Sequence, residues 1–102
     1  GYEAPLTEAM IDVIENLSDY KTIDNDRVIS KVYQRSDEKI ITLTGCWSCK
    51  INMRFAFEGN DIEIQNGTLI LISAEKNKIT KLLSSGGAQI YINGIRSDYE
   101  QI

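Results

Sequence analysis

Ile51, Met53, Phe55 and Phe57 constrain this chain more than any other feature: four large apolar residues, each two positions from the next. Asn52, Arg54, Ala56 and Glu58 alternate with them. A period of two places all four on one face of a β-strand. Glu58-Gly59-Asn60-Asp61 then supplies turn chemistry, and Ile62 and Ile64 resume the alternation against Glu63 and Gln65. Asn66-Gly67 is a strong hairpin signal, because a type I′ turn needs positive φ at both central residues. Thr68 to Ile72 follow as an apolar run suited to a strand covered on both faces. The stretch from Gly45 to Ser73 therefore predicts three strands in meander order.

The flanking segments predict helices and further hairpins. Pro5 and Thr7 suit the entrance of a helix. Leu6, Met10, Val13, Ile14 and Leu17 share one helical face, with Glu8, Asp12 and Glu15 on the other side. Ser18-Asp19 ends that helix, and its apolar stripe is expected to pack on the sheet. Asp24-Asn25-Asp26 reads as a polar turn, since the further ligands of a calcium loop are missing at the required spacing. Arg27 to Gln34 and Lys39 to Thr44 read as a strand pair joined by Arg35-Ser36-Asp37-Glu38. Ser73 can cap a second short helix over Ala74 to Ser84, with Ile79, Leu82 and Leu83 as its stripe and Gly86-Gly87 as its stop. Gln89 to Asn93 reads as a strand that turns at Asn93-Gly94 and pairs back through Ile95 to Tyr99. The expected fold is α+β: an N-terminal helix and a second short helix packed on an antiparallel meander and hairpin sheet. At 102 residues, with no linker or repeat, the chain is expected to be a single domain, 1–102.

Charge and residue types narrow the function classes. The formal net charge of −4, with Lys and Arg scattered, argues against nucleic acid and against anionic membrane surfaces. No apolar stretch is long enough to insert in a bilayer. Histidine is absent, which removes the commonest general base and the usual Ser or Cys nucleophile arrangements. The carboxylates sit in turns and on polar faces, and no glycine-rich loop opens a helix. No catalytic residue, cofactor site or metal site is therefore assigned.

Cys46-Trp47-Ser48-Cys49 is the one chemically suggestive motif. Two cysteines without histidine do not complete a common zinc site within one chain. Cys46-Trp47-Ser48-Cys49-Lys50 resembles the Cys-x-x-Cys-Lys of thioredoxins, which implies thiol-redox chemistry. In that family the first Cys opens a helix that lowers its pKa, whereas strand alternation follows here. Cys46 and Cys49 are a candidate disulfide. Bridged Cα atoms lie ~4.4–6.8 Å apart, whereas residues three apart in a strand are about 10 Å apart. A bridge thus requires a tight turn from Gly45 to Lys50, with Trp47 and Ser48 at its tip as candidate recognition residues.

Two stretches resemble parts of known families. Tyr20-Lys21-Thr22-Ile23, Asn25-Asp26-Arg27-Val28 and Ile40-Ile41-Thr42 look like the first part of cholera-type toxin B subunits, which implies an OB-fold that binds glycans. The long central helix and the disulfide cysteines of that family are unmatched. Thr44-Gly45-Cys46 and Tyr91-Ile92-Asn93-Gly94 are similar to the META domain of bacterial lipoproteins, whose Trp-bearing first strand is missing. Neither resemblance assigns a site residue.

The reading that results is a non-enzymatic protein- or ligand-interaction domain, the excised sensory or binding part of a longer protein. A protein partner is expected first and a small ligand second. An extracytoplasmic location is expected, from the cysteine pair and the start at Gly1. The alternatives are a CxxC thiol-redox or metal-sharing module, and a small acidic inhibitor or immunity-type protein, the latter suiting a cytoplasmic location.

Overall fold

The computed structural model describes residues 28–45 and 50–102, together with the backbone of residues 19–25. Ten strands make up its regular structure: β1 (Asp19–Asn25), β2 (Val28–Arg35), β3 (Glu38–Gly45), β4 (Ile51–Phe57), β5 (Asn60–Gly67), β6 (Leu69–Glu75), β7 (Lys78–Ser84), β8 (Gln89–Ile92), β9 (Ile95–Ser97) and β10 (Glu100–Gln101). They form a six-stranded sheet, ordered β1-β2-β3-β6-β7-β10, and a four-stranded sheet, ordered β4-β5-β8-β9. The main core lies between them. Ile41, Leu43, Ile70 and Ile72 of the larger sheet pack with Ile51, Phe57, Ile62, Ile64 and Ile90 of the smaller one.

This arrangement corrects the expected α+β class, because every regular element among the described residues is a strand. The expected N-terminal helix lies outside those residues. The expected helix over Ala74 to Ser84 is the end of β6, a turn and β7. Lys76 and Asn77 both have positive φ, 52° and 66°, so they make the primed turn of a tight hairpin. The helical spacing of Ile79 and Leu82 arises from a β-bulge. Ala74 pairs with Ile79 but Ser73 pairs with Lys81, leaving Thr80 as an extra residue. The bulge brings Ile79 and Leu82 onto the same inner face although they are three apart, and both pack on the main core.

The meander is also corrected. Only Asn66 of the Asn66-Gly67 pair has positive φ (62°), and no hairpin forms there. A Cβ on Gly67 would lie 2.8 Å from Ile70 Cδ1 and 3.1 Å from Ile64 Cγ2, so glycine serves close packing at this corner. The chain crosses between sheets after it, with Gly45 N donating to Thr68 O at 3.0 Å. β5 then pairs with β8, while β6 enters the larger sheet between β3 and β7.

Three further expectations stand, while Asp24 and Asn25, read as part of a polar turn, are instead the last residues of β1 and pair with Ile29 and Val28. β2 and β3 pair antiparallel from Val28↔Gly45 to Arg35↔Glu38 around Ser36-Asp37. Glu58 and Gly59, at φ 48° and 77°, turn β4 into β5, and Asn93 and Gly94, at 53° and 80°, turn β8 into β9. β6 is covered on both faces, as its apolar run suggested: Ile70, Leu71, Ile72, Ser73 and Ala74 are all buried. Side chains tie three of the turns together at one end. Asn60 Nδ2 donates to Glu58 O at 3.0 Å and to Asn77 O at 3.1 Å, and Asn93 Nδ2 donates to Asn60 Oδ1 at 3.0 Å. Lys39 and Glu58 form an ion pair at 3.1 Å between the two sheets.

Candidate functional site

The unequal strand count of the two sheets creates the site. β4 is the end strand of the smaller sheet, and among the described residues no strand pairs with its outer edge. The larger sheet continues past it through β2 and β1. A hollow of about 210 Å³ lies between β4 and the larger sheet. Ser30 and Val32 of β2 and Ile41 and Leu43 of β3 line one wall. Met53, Phe55 and Phe57 line the other.

Local sequence explains the chemistry of the walls. Alternation along β4 sends Met53, Phe55 and Phe57 inward, and the register Ser30↔Leu43 and Val32↔Ile41 sets four inward positions of β2 and β3 side by side. Ile41, Leu43 and Phe57 are buried, whereas Val32, Met53 and Phe55 are half-buried. Ser30, small and buried, leaves room where a larger residue would fill the wall. An apolar hollow beside an unpaired strand edge suits an extended peptide: the edge offers backbone hydrogen bonds and the hollow takes alternate side chains.

The outer face of the smaller sheet is different in kind. Arg54 donates to Asp61 through Nε to Oδ1 at 3.0 Å and through Nη2 to Oδ2 at 2.7 Å. These hydrogen bonds hold the Asp61 carboxyl below the usual carboxylate range and raise the Arg54 guanidinium. Gln65 Nε2 donates to Glu63 Oε2 at 2.9 Å, and Asn52 Oδ1 accepts from Asn66 N at 2.9 Å. A shallow depression lies there, but the polar groups around it engage one another. Among the described residues no group of three or more His, Cys, Asp or Glu is placed to hold a metal ion.

Cys46, Trp47, Ser48 and Cys49, the sequence-derived candidates, lie outside the described residues. They fall between β3 of the larger sheet and β4 of the smaller one. The residues the sequence did not single out as a site are Ser30, Val32, Met53 and Phe55. The only trace of it is a strand with four apolar positions and no matching sign of what covers them. No family model, curated protein or solved structure matches this chain.

Proposed function

We propose that this chain is a non-enzymatic interaction domain that binds an extended segment of a protein partner along the open edge of β4. The carrying observation is the coincidence of the unpaired edge with the apolar hollow. Strand addition takes affinity from main-chain hydrogen bonds and specificity from pockets for alternate side chains, and both parts are available here. Neighbouring strands sit ~4.8 Å apart, so a strand added to β4 would lie over β2 and β1, the part of the larger sheet that extends beyond β4. The lack of histidine in the whole chain supports the non-enzymatic reading.

Selection of ten-residue peptides from a random display library tests the proposal. Binders should carry alternating apolar residues and should shift the NMR signals of Val32, Met53 and Phe55. Ser30→Phe, which fills the hollow, should weaken them at least about tenfold, the effect of ~1.4 kcal/mol. Arg96→Ala, on β9, should leave affinity unchanged. Peptides that shift other surfaces, or binding indifferent to Ser30→Phe, would refute the site. Saturable binding of 1-anilinonaphthalene-8-sulfonate in the hollow, with no peptide selected, would replace the peptide by a small apolar ligand.

A further inference from the structure

The turn after β4 fixes which of its backbone groups are open. Glu58 and Gly59 both have positive φ, so Phe57 and Asn60 flank a two-residue primed turn. The pair flanking such a turn exchanges both of its backbone hydrogen bonds, and exchanging pairs recur at every second position. Phe57, Phe55 and Met53 therefore bond to Asn60, Ile62 and Ile64 of β5. Ala56 and Arg54, the positions between, turn their N–H and C=O groups away from β5, toward the open edge. Ala56 also borders the hollow although alternation puts its side chain on the outer face, so the hollow opens onto this edge.

The outer face gives that edge a charge. Asn52, Arg54 and Ala56 are exposed there, and Arg54 is the charged one of the three. Its side chain is 68 % exposed even while it holds Asp61. Nε and Nη2 make that contact. A guanidinium has further donors, and both N–H groups of Nη1 and the second of Nη2 are left for another carboxylate. Glu63 faces Arg54 from the β5 side. A strand added to β4 would lie ~4.8 Å from Arg54 but about 10 Å from Glu63, a distance over which exposed charges are largely screened. Arg54 therefore sets the sign of the charge that an added strand meets.

We infer that the segment bound along β4 reads apolar–acidic–apolar, with an Asp or Glu opposite Arg54 and the two apolar residues opposite Met53 and Phe55. This rests on the edge-binding reading above and adds the chemistry of the partner. In antiparallel pairing the backbone hydrogen bonds of the segment run to Arg54 and Ala56. The residues opposite Met53 and Phe55 then form the non-hydrogen-bonded pairs, whose side chains stand closer together. Those side chains enter the hollow, whose far wall includes Ser30 and Val32. The residue between them projects on the outer face beside the guanidinium. An opposite charge directly across a strand pair is favourable there and a like charge is not. Alternation makes the three residues consecutive in the partner's sequence.

Two selections from a display library of random ten-residue peptides test this inference. With the wild-type chain as bait, binders should carry Asp or Glu between two apolar residues. With Arg54→Glu as bait, Lys or Arg should take the same place. A peptide selected on wild type should lose about two- to fivefold in affinity when its acid becomes Gln, the range of an exposed ion pair. It should lose more when the acid becomes Lys, and both losses should shrink at high salt. Peptides that shift the NMR signals of Met53 and Phe55 but show no acid preference, or a basic one, would overturn the inference and leave the edge site standing. Peptides that shift only other surfaces, or no binders at all, would remove the edge site and this inference with it. Should Arg54→Glu fail to fold, the wild-type selection and the Gln and Lys peptides still decide.

Discussion

β6 and β4 are both seven-residue strands with strongly apolar sequences, and they reach opposite situations. β6 lies in the interior of the larger sheet, between β3 and β7, and five consecutive residues of it are buried. β4 ends the smaller sheet. Ile51 and Phe57 at its two ends are buried, but Met53 and Phe55 between them are half-exposed toward the hollow. Neither hydrophobicity nor strand length separates the two. Position in the sheet does, because an interior strand has partners at both edges, while an end strand leaves one row of backbone groups and part of its inner face uncovered. The fold therefore concentrates buried contacts in β6 and leaves an open edge and a hollow at β4.

The largest expected effect tests the contrast within β4. Phe57→Ala should cost ~3–5 kcal/mol, as deletions of buried aromatic side chains do. Phe55→Ala, half-buried, should cost about 1–2 kcal/mol, in proportion to the smaller area it removes from water. Equal shifts of the urea midpoint would mean that the hollow is closed in solution.

The next effect tests the two-sided burial of β6. Ile72→Ala on the inner face and Leu71→Ala on the outer face should each cost about 2–5 kcal/mol. A Leu71→Ala loss below about 0.5 kcal/mol, the level of an ordinary surface change, would show that the outer face is open and that β6 is no better covered than β4.

The smallest effect concerns Arg54, on the outer face of the smaller sheet beside the hollow. Arg54→Ala should destabilise less than either Phe substitution in β4. Its hydrogen bonds depress the Asp61 carboxyl in the folded state, so their contribution is present above the ordinary pKa of Asp, ~3.9, and is lost as pH falls through the depressed folded value. Denaturation of wild type and Arg54→Ala should differ at neutral pH and converge in strong acid. A difference that grows on acidification would contradict the Arg54–Asp61 coupling.

Much of the local structure was legible in the residues. Period-two alternation marked β4 and β5, β-branched content marked β2 and β3, and Asn93-Gly94 marked the last tight hairpin. Two expectations failed for identifiable reasons. At Ile79 and Leu82 an extra strand residue, Thr80, imitates helical spacing, and a period cannot tell a bulge from a turn of helix. At Asn66-Gly67 the glycine is required by Ile70 and Ile64 packing on it, a contact between elements that no dipeptide rule contains. Strand order was not legible either, because it depends on which edges meet after the chain crosses between sheets. The site depends on that order: Met53 and Phe55 are ordinary core residues in a meander, and become the wall of a hollow only when β4 ends its sheet.

Amide hydrogen exchange of the full chain, compared between β4 and β6, tests the account most directly. An end strand points every second N–H away from its partner, so exchange along β4 should alternate between protected and rapidly exchanging amides. The amides of β6 should be slow throughout the strand, as expected where both edges are paired and both faces covered. Uniform slow exchange along β4 would show that its edge is already occupied, and the proposed binding site would be lost.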